Sequence, residues 1–416
     1  MDGGNDMKNS IENEKKFSAV AIRPGHENWK VCVERPRSLY HRDDDIRSPF
    51  ARDYNRILHC TAYRRLKHKT QVFFATTNDH ICTRIEHVNH VTAVSYTIAK
   101  NLGLNTELTN AIAIGHDLGH APFGHAGESF LKEMVKQETG ETFWHEKNSL
   151  RFVDNCETLE DPKGHHRNLS LTYAVRDGII CHCGEVDENK IFPRLENIRL
   201  EEISEPGQYN PFTWEGCVVK VADKIAYLGR DIEDARTLKI LSISEFKELL
   251  TIVRPYTDSR LSELNTTVIM HDFIIDLCNN SSPNGGIRLS DRTLNLMNVL
   301  KEFNYKNIYY HWKIENYREY AELIIRSIFQ MLKRFYRKEK TLDEIKRYSG
   351  IYPILSQVFY EWIEKYSKVE KRPVRYKNTI LYDLKNEKDF INAITDFISG
   401  MTDVFAIKIF NEIIMF

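Results

Sequence analysis

The chain lacks net charge, long apolar runs and paired-cysteine motifs. Its 58 Lys+Arg against 59 Asp+Glu in 416 residues leave a formal charge of −1, so no global field draws it toward nucleic acid or an anionic membrane. No stretch approaches the roughly 18 consecutive apolar residues that a membrane span needs. Met1 to Lys16 is polar and has no apolar centre of the kind a signal peptide carries. These absences set the expectation of a cytoplasmic protein with no membrane contact. The eight cysteines (32, 60, 82, 156, 181, 183, 217, 278) form no CxxC pair. Only Cys181-His182-Cys183 cluster, and with no second pair at zinc spacing they read as helix residues under reducing conditions. No repeat or low-complexity tract interrupts the chain. Its length allows two or three domains and an ample core without disulfides.

What is there is helix. Residues 86 to 100 place Val88, Val91, Val94, Ser95, Ile98 and Ala99 at spacings of three and four, and Leu102-Gly103 supplies the stop. Asn105 or Thr106 caps the next helix, which runs to His116-Asp117 ahead of Pro122. Further helices are expected over about 126–137, 145–155, from Asn168 or Ser170 to about Cys181, and from Trp214 to Leu238. Ser242-Ile243-Ser244-Glu245 is a capping box opening another. The polar loop Asn279 to Gly286 is the best internal boundary. It gives an N-terminal polar segment 1–45, a main domain 46–278 and a C-terminal helical region 279–416. Gln71–Phe74 and Lys190–Phe192 alternate like short ribbons, too little for a sheet-based core. The expected fold is all-α, a helical bundle with a C-terminal helical extension.

The chemistry concentrates in Gly115-His116-Asp117-Leu118-Gly119-His120-Ala121-Pro122-Phe123-Gly124-His125, three histidines and a carboxylate on a glycine-rich turn. His271-Asp272 repeats the dipeptide without histidines around it and reads as a helix surface. Upstream lies Arg84-Ile85-Glu86-His87, and downstream Ala222-Asp223-Lys224-Ile225-Ala226-Tyr227. Together they offer His87, His116, Asp117 and Asp223. Two nitrogen and two oxygen donors from three helices suit a divalent ion and leave positions open for water and phosphate. In the helix that carries Asp223, residues Tyr227, Arg230, Asp231 and Asp234 share its side at 100° per residue. His125 and Glu128 stand three apart, close enough for the carboxylate to orient the imidazole. Arg84 lies one turn before His87. The basic patch Arg64 to Lys69 borders Gln71 and Arg84, whereas Lys333 to Lys338 reads as a solvated helix face.

A histidine, then His-Asp, then a distant Asp on helices resembles the HD-domain metal-dependent phosphohydrolases. The longer words narrow the likeness. Lys69-Thr70-Gln71-Val72, Arg84 to His87, His116 to Glu128 and Ala222 to Tyr227 closely resemble the deoxyguanosine triphosphate triphosphohydrolase family, and Ser399-Gly400-Met401-Thr402-Asp403 looks like its closing signature. The vertebrate HD-domain dNTPase is a more distant relative.

The resemblance implies an HD-domain helical bundle that cleaves a deoxynucleoside triphosphate to deoxynucleoside and inorganic triphosphate. It assigns a divalent metal (Mn2+, Mg2+ or Fe2+) to His87, His116, Asp117 and Asp223. It places Gln71 on the sugar 3′-hydroxyl, Arg84 and Lys224 on phosphates, Tyr227 against the deoxyribose and Asp231 near its 3′-hydroxyl. His125 and Glu128 form its acid/base pair, His120 is a phosphate-side histidine, and His145 corresponds to a catalytic histidine of the vertebrate branch. Many bacterial members have Asn where this chain has Glu146, so acid/base duty falls on His125 or on His145. The family also implies a homo-oligomer, with the aromatic run Tyr305 to Trp312 as a source of contacts, while the sequence leaves open whether a nucleotide effector binds. Two other readings stand beside this one: an HD phosphohydrolase acting on another nucleotide class, and a sensor that binds nucleotide or single-stranded nucleic acid without turnover. The intact ligand and acid/base set argues against the sensor.

Overall fold

The computed structural model describes residues 15–40, 44–74, 78–183, 189–256 and 266–415. Among them the chain is helical, apart from one antiparallel pair of three-residue strands, Thr158–Glu160 with His166–Asn168. The all-α expectation holds.

Three helices build the centre, and local sequence explains each. Arg84–Leu102 opens on a capping box in which Glu86 accepts the Thr83 N–H at 2.7 Å, and it stops at Gly103, whose φ of 90° is in the left-handed region. Thr106–Gly115 is capped by Asn105, whose side chain accepts from the N–H groups of Glu107 and Leu108. Trp214–Thr237 is capped by Thr213. The three pack on one another through Val88, Val91, Ile112, Ala222 and Ile225, all fully buried. Tyr173–Cys181 comes close to the second of them because it has Gly178 at the contact. A Cβ there would lie 2.6 Å from Ile112.

Buried apolar side chains form two clusters. The first runs from Phe17 through the central helices to Ile308. The second joins Gly124–Thr139 to Trp312–Lys333, Glu387–Ser399 and Asp403–Ile414. The division between them therefore does not fall at the 279–286 loop, since residues 287–308 belong to the first. Nor is the described part of segment 1–45 merely polar. Phe17 is fully buried against Trp214, with ring centroids 5.0 Å apart. Residues 1–14 and 41–43 of that segment lie outside the described residues.

Elsewhere the structure departs from the periodicity. The helix expected from Asn168 or Ser170 begins at Tyr173. Asn168 and Ser170 act as anchors instead: Asn168 accepts from the Thr379 N–H at 2.8 Å, and Ser170, at φ 49°, donates to the Arg37 carbonyl. His145–Arg151 is α-helical and then widens into a π turn over Phe152–Cys156. Of the two ribbon candidates, Gln71–Phe74 forms no strand, with an isolated bridge only just before it at Thr70 to Thr83, and Lys190–Phe192 reduces to the bridge Ile191 with Ile287. Among the described residues, no single helix is long and apolar enough to cross a membrane.

Candidate active site

The glycine-rich turn brings the three central helices to a common point. His116 is the C-cap residue of its helix, and its Nδ1 lies 2.7 Å from the Ala113 carbonyl. That contact makes Nδ1 the donor and leaves Nε2 as a lone pair, buried and without a hydrogen-bond partner in the protein. An unpartnered buried acceptor costs about 1–3 kcal/mol, so the orphan atom is informative. It lies 3.5 Å from Asp117 Oδ1 and 3.8 Å from Asp223 Oδ1. His87 Nε2 lies 3.0 Å from Asp223 Oδ1 and 3.8 Å from Asp117 Oδ2. Donor atoms bonded to one ion at about 2.1 Å lie about 3–3.5 Å from their neighbours. His87, His116 and Asp223 thus form one group that could hold a divalent cation, with the Asp117 carboxylate beside it. Burial lowers His116 to about 4, keeping it in the neutral form that coordination requires.

Asp117 is held from three sides. Arg84, 1% exposed, puts Nη1 2.6 Å from Oδ2, and His120 Nε2 lies 3.2 Å from Oδ1. Burial would raise the carboxyl, but His116, His120 and Arg84 together hold it well below the usual range. Arg84 also donates to the carbonyls of Thr70 and Gln71. This residue, expected on phosphate, is therefore also the orienter of Asp117.

The opposite wall is a histidine stack on a carboxylate. Glu128 accepts the His145 N–H at 2.8 Å, and its oxygens lie 3.1 and 3.2 Å from His145 Nδ1. His145 stacks on His120 at 3.8 Å. Burial alone would lower His145, but Glu146 and Glu128 beside it raise it to about 10. His125, read as the partner of Glu128, is on the rim instead. Its helix starts at Gly124, two residues earlier than the periodicity suggests, and its side chain is 72% exposed with Nδ1 3.7 Å from Glu128.

These walls enclose a cavity of about 510 Å3, and every site residue chosen from sequence lines it except His116 and Glu128, which sit behind its surface. Gln71 Oε1 and His120 Nδ1 are buried there without protein partners. Lys224, Tyr227 and Asp231 line the side away from the turn. Asp231 accepts the Tyr309 hydroxyl at 2.5 Å, and burial raises it to about 7. Tyr305, Tyr309 and Tyr310, from the run expected to supply oligomer contacts, line this same cavity.

Sequence reasoning missed His182, Cys183 and Lys220, which also reach it. His182 puts its ring edge against His116 at 5.0 Å. The only local signal was the Cys-His-Cys cluster. By contrast His271 is exposed on Thr266–Asn280. His271→Ala is expected to leave metal content unchanged and thermal stability within about 0.5 kcal/mol of the parent; a lost ion would show the second His-Asp to be involved.

This geometry is that of an HD domain, and the HD-domain family model matches residues 84–228, which hold all four ligand candidates. A phosphohydrolase-associated domain matches residues 287–347. The chain is 31% identical over 387 residues to a protein of Caldanaerobacter subterraneus subsp. tengcongensis, covering 93% of this chain and 91% of that one. It is 29% identical over 413 residues to one of Clostridium tetani, covering 98% and 96%. A protein of Desulfatibacillum aliphaticivorans is 37% identical over 287 residues, covering 68% and 73%. All three are named deoxyguanosinetriphosphate triphosphohydrolase-like proteins. The chain belongs to this family of HD-domain phosphohydrolases.

Proposed function

We propose that the protein is a metal-dependent dNTP triphosphohydrolase, converting a deoxynucleoside triphosphate and water to deoxynucleoside and inorganic triphosphate. One observation carries the reading: His87, Asp117, Asp223 and His145 line one cavity, with His116 and Glu128 directly behind its surface and Tyr227 and Asp231 extending along the same helix from Asp223. An ion held by His87, His116, Asp117 and Asp223 would supply Lewis-acid charge for the phosphoryl oxygens. Lys224 adds a cation beside it. Water attacks the α-phosphorus, the bond from phosphorus to the 5′-oxygen breaks, and that oxygen needs a proton. His145 is the residue suited to give it, because Glu128 and Glu146 keep it protonated at neutral pH. Glu128 fixes the ring through Nδ1, His120 stacks behind it toward the phosphates, and His125 contacts them from the rim.

Asp223, Tyr227 and Asp231 follow at one-turn intervals, so a nucleotide with its phosphates at the ligand set runs its sugar along this helix. Gln71 and Asp231 then bond the 3′-hydroxyl, and the Tyr227 ring packs on the 2′-carbon and excludes a hydroxyl. Tyr227→Ala is expected to narrow the preference for dNTP over NTP in kcat/KM. Asp231→Ala should weaken substrates with a 3′-hydroxyl more than their 2′,3′-dideoxy analogues. An unchanged sugar preference in an active Tyr227→Ala protein would remove this placement.

The direct test is hydrolysis of the four dNTPs and four NTPs with Mg2+, Mn2+ and Fe2+, singly and with pairs of nucleotides, products separated by chromatography. Deoxynucleoside and triphosphate are expected, only with metal. Cleavage of a different nucleotide class, or none, would favour the other readings.

A further inference from the structure

The Ser399-Gly400-Met401-Thr402-Asp403 signature has no part in the chemistry above, yet it reaches the back of the catalytic wall. Asp403, 4% exposed, is the first residue of Asp403–Ile414. Its Oδ2 accepts the Thr70 N–H at 2.9 Å and also the Thr70 hydroxyl, and its Oδ1 accepts the Phe123 N–H at 2.9 Å. Beside it the buried Lys69 donates to the Ser399 carbonyl at 2.8 Å and to the His120 carbonyl. Two separate segments that line the cavity, 69–71 and 120–124, are thus tied to each other through the chain's last helix.

The 120–124 segment carries backbone strain of its own. Phe123 sits at φ 66°, a left-handed conformation that costs a residue with a side chain about 1–2 kcal/mol. Gly124 follows at φ 59°, where a Cβ would lie 3.2 Å from the Gln71 carbonyl. The next turn carries His125 and Glu128, and Glu128 fixes His145. On the other side, Thr70 passes its carbonyl to Arg84 Nε, and Arg84 holds Asp117.

We infer that Asp403 is a positioning residue, setting the Glu128–His145 wall against the Gln71–Arg84–Asp117 wall by holding Thr70 and Phe123 with one carboxylate. The inference rests on the reaction proposed above. Two acceptor oxygens are needed because the backbone N–H groups of Thr70 and Phe123, one at each oxygen, can only donate. In Asp403→Asn the amide turns an N–H group toward one of them, and one arm is lost without a change of size. Misplacing groups by about 1 Å costs on the order of 10²-fold in rate.

The test compares three variants by kcat, KM, metal content and thermal stability. Asp403→Asn is expected to lower kcat by about 10²-fold, with KM and metal content within a few-fold of the parent. Glu412→Gln is the control: on the same helix, Glu412 accepts the Ile354 and Leu355 N–H groups and touches nothing in the cavity. It should lose stability and keep kcat. Thr70→Val, which removes one donor, should fall between, and Thr70→Ser should restore the parent rate. Parental kcat in Asp403→Asn, or an equal kcat loss in Glu412→Gln at equal stability, would overturn the assignment. If the parent hydrolyses no dNTP, the proposed reaction fails and the tie is read by hydrogen exchange instead. Exchange of 69–71 and 120–124 should rise in Asp403→Asn but not in Glu412→Gln, and no rise overturns it.

Discussion

Asp223→Ala is expected to fold, to lose its divalent ion and to lose turnover by at least about 10³-fold, the scale of several kcal/mol of Lewis-acid stabilisation. Asp223 offers Oδ1 to both histidines of the set, so its loss opens the shell from two sides at once. Its side chain is 26% exposed, and among the described residues no buried arginine pairs with it. Asp117→Ala should also lose the ion, but at a further cost. It strands Arg84, which is 1% exposed and ion-paired at 2.6 Å. Breaking a buried pair from one side destabilises by about 3–5 kcal/mol. Metal analysis and far-ultraviolet circular dichroism separate the two effects. Full metal content in a folded Asp223→Ala protein would remove Asp223 from the site.

The second large effect is expected at His145. His145→Ala should retain the ion and lose about 10²–10⁴-fold in kcat, the range for a positioned general acid. His125→Ala, on the rim, should cost much less. The pH profile supplies a sharper check. The acid form of His145 is present below its raised value of about 10 and disappears as pH rises through it. Glu128 is one of the carboxylates that raise it, after Glu146 and ahead of Asp117, so Glu128→Gln should move the alkaline limb of kcat to lower pH while metal content stays constant. An equal loss in His125→Ala, or an unmoved limb in Glu128→Gln, would show that the proton comes from elsewhere.

These expectations differ in how much of them could be read from the chain alone. The candidate ligands could be picked out because each stands at a marked place in a helix: His87 one turn after a capping box, His116-Asp117 at a helix end, Asp223 within a long amphipathic run. Periodicity and caps carry that information locally. The choice between His125 and His145 was not legible. Spacing of three favours His125 with Glu128, and those two do stand 3.7 Å apart, but His125 is 72% exposed and the closer imidazole, that of His145, comes from the next helix. His182 and Lys220 belong to the same class, brought in by packing between distant segments. The hairpin at 158–168 was lost for another reason. Its three-residue strands are too short to show alternation, and Asn168 and Ser170 are equally good helix caps and turn anchors. The tie from Asp403 to Thr70 spans 333 residues, and no local pattern announces it.

The central claim is that water attacks the α-phosphorus and the 5′-oxygen leaves with the deoxynucleoside. Hydrolysis of dGTP and the other dNTPs in 18O-labelled water, with mass spectrometry of both products, tests it in one experiment. One labelled oxygen in inorganic triphosphate and none in the deoxynucleoside is the expected result, lost together with the ion in Asp223→Ala. Label in a deoxynucleoside monophosphate would mean that pyrophosphate rather than the 5′-oxygen leaves the α-phosphorus, label in a deoxynucleoside diphosphate, pyrophosphate or orthophosphate would place the attack at another phosphorus, and either result would contradict it.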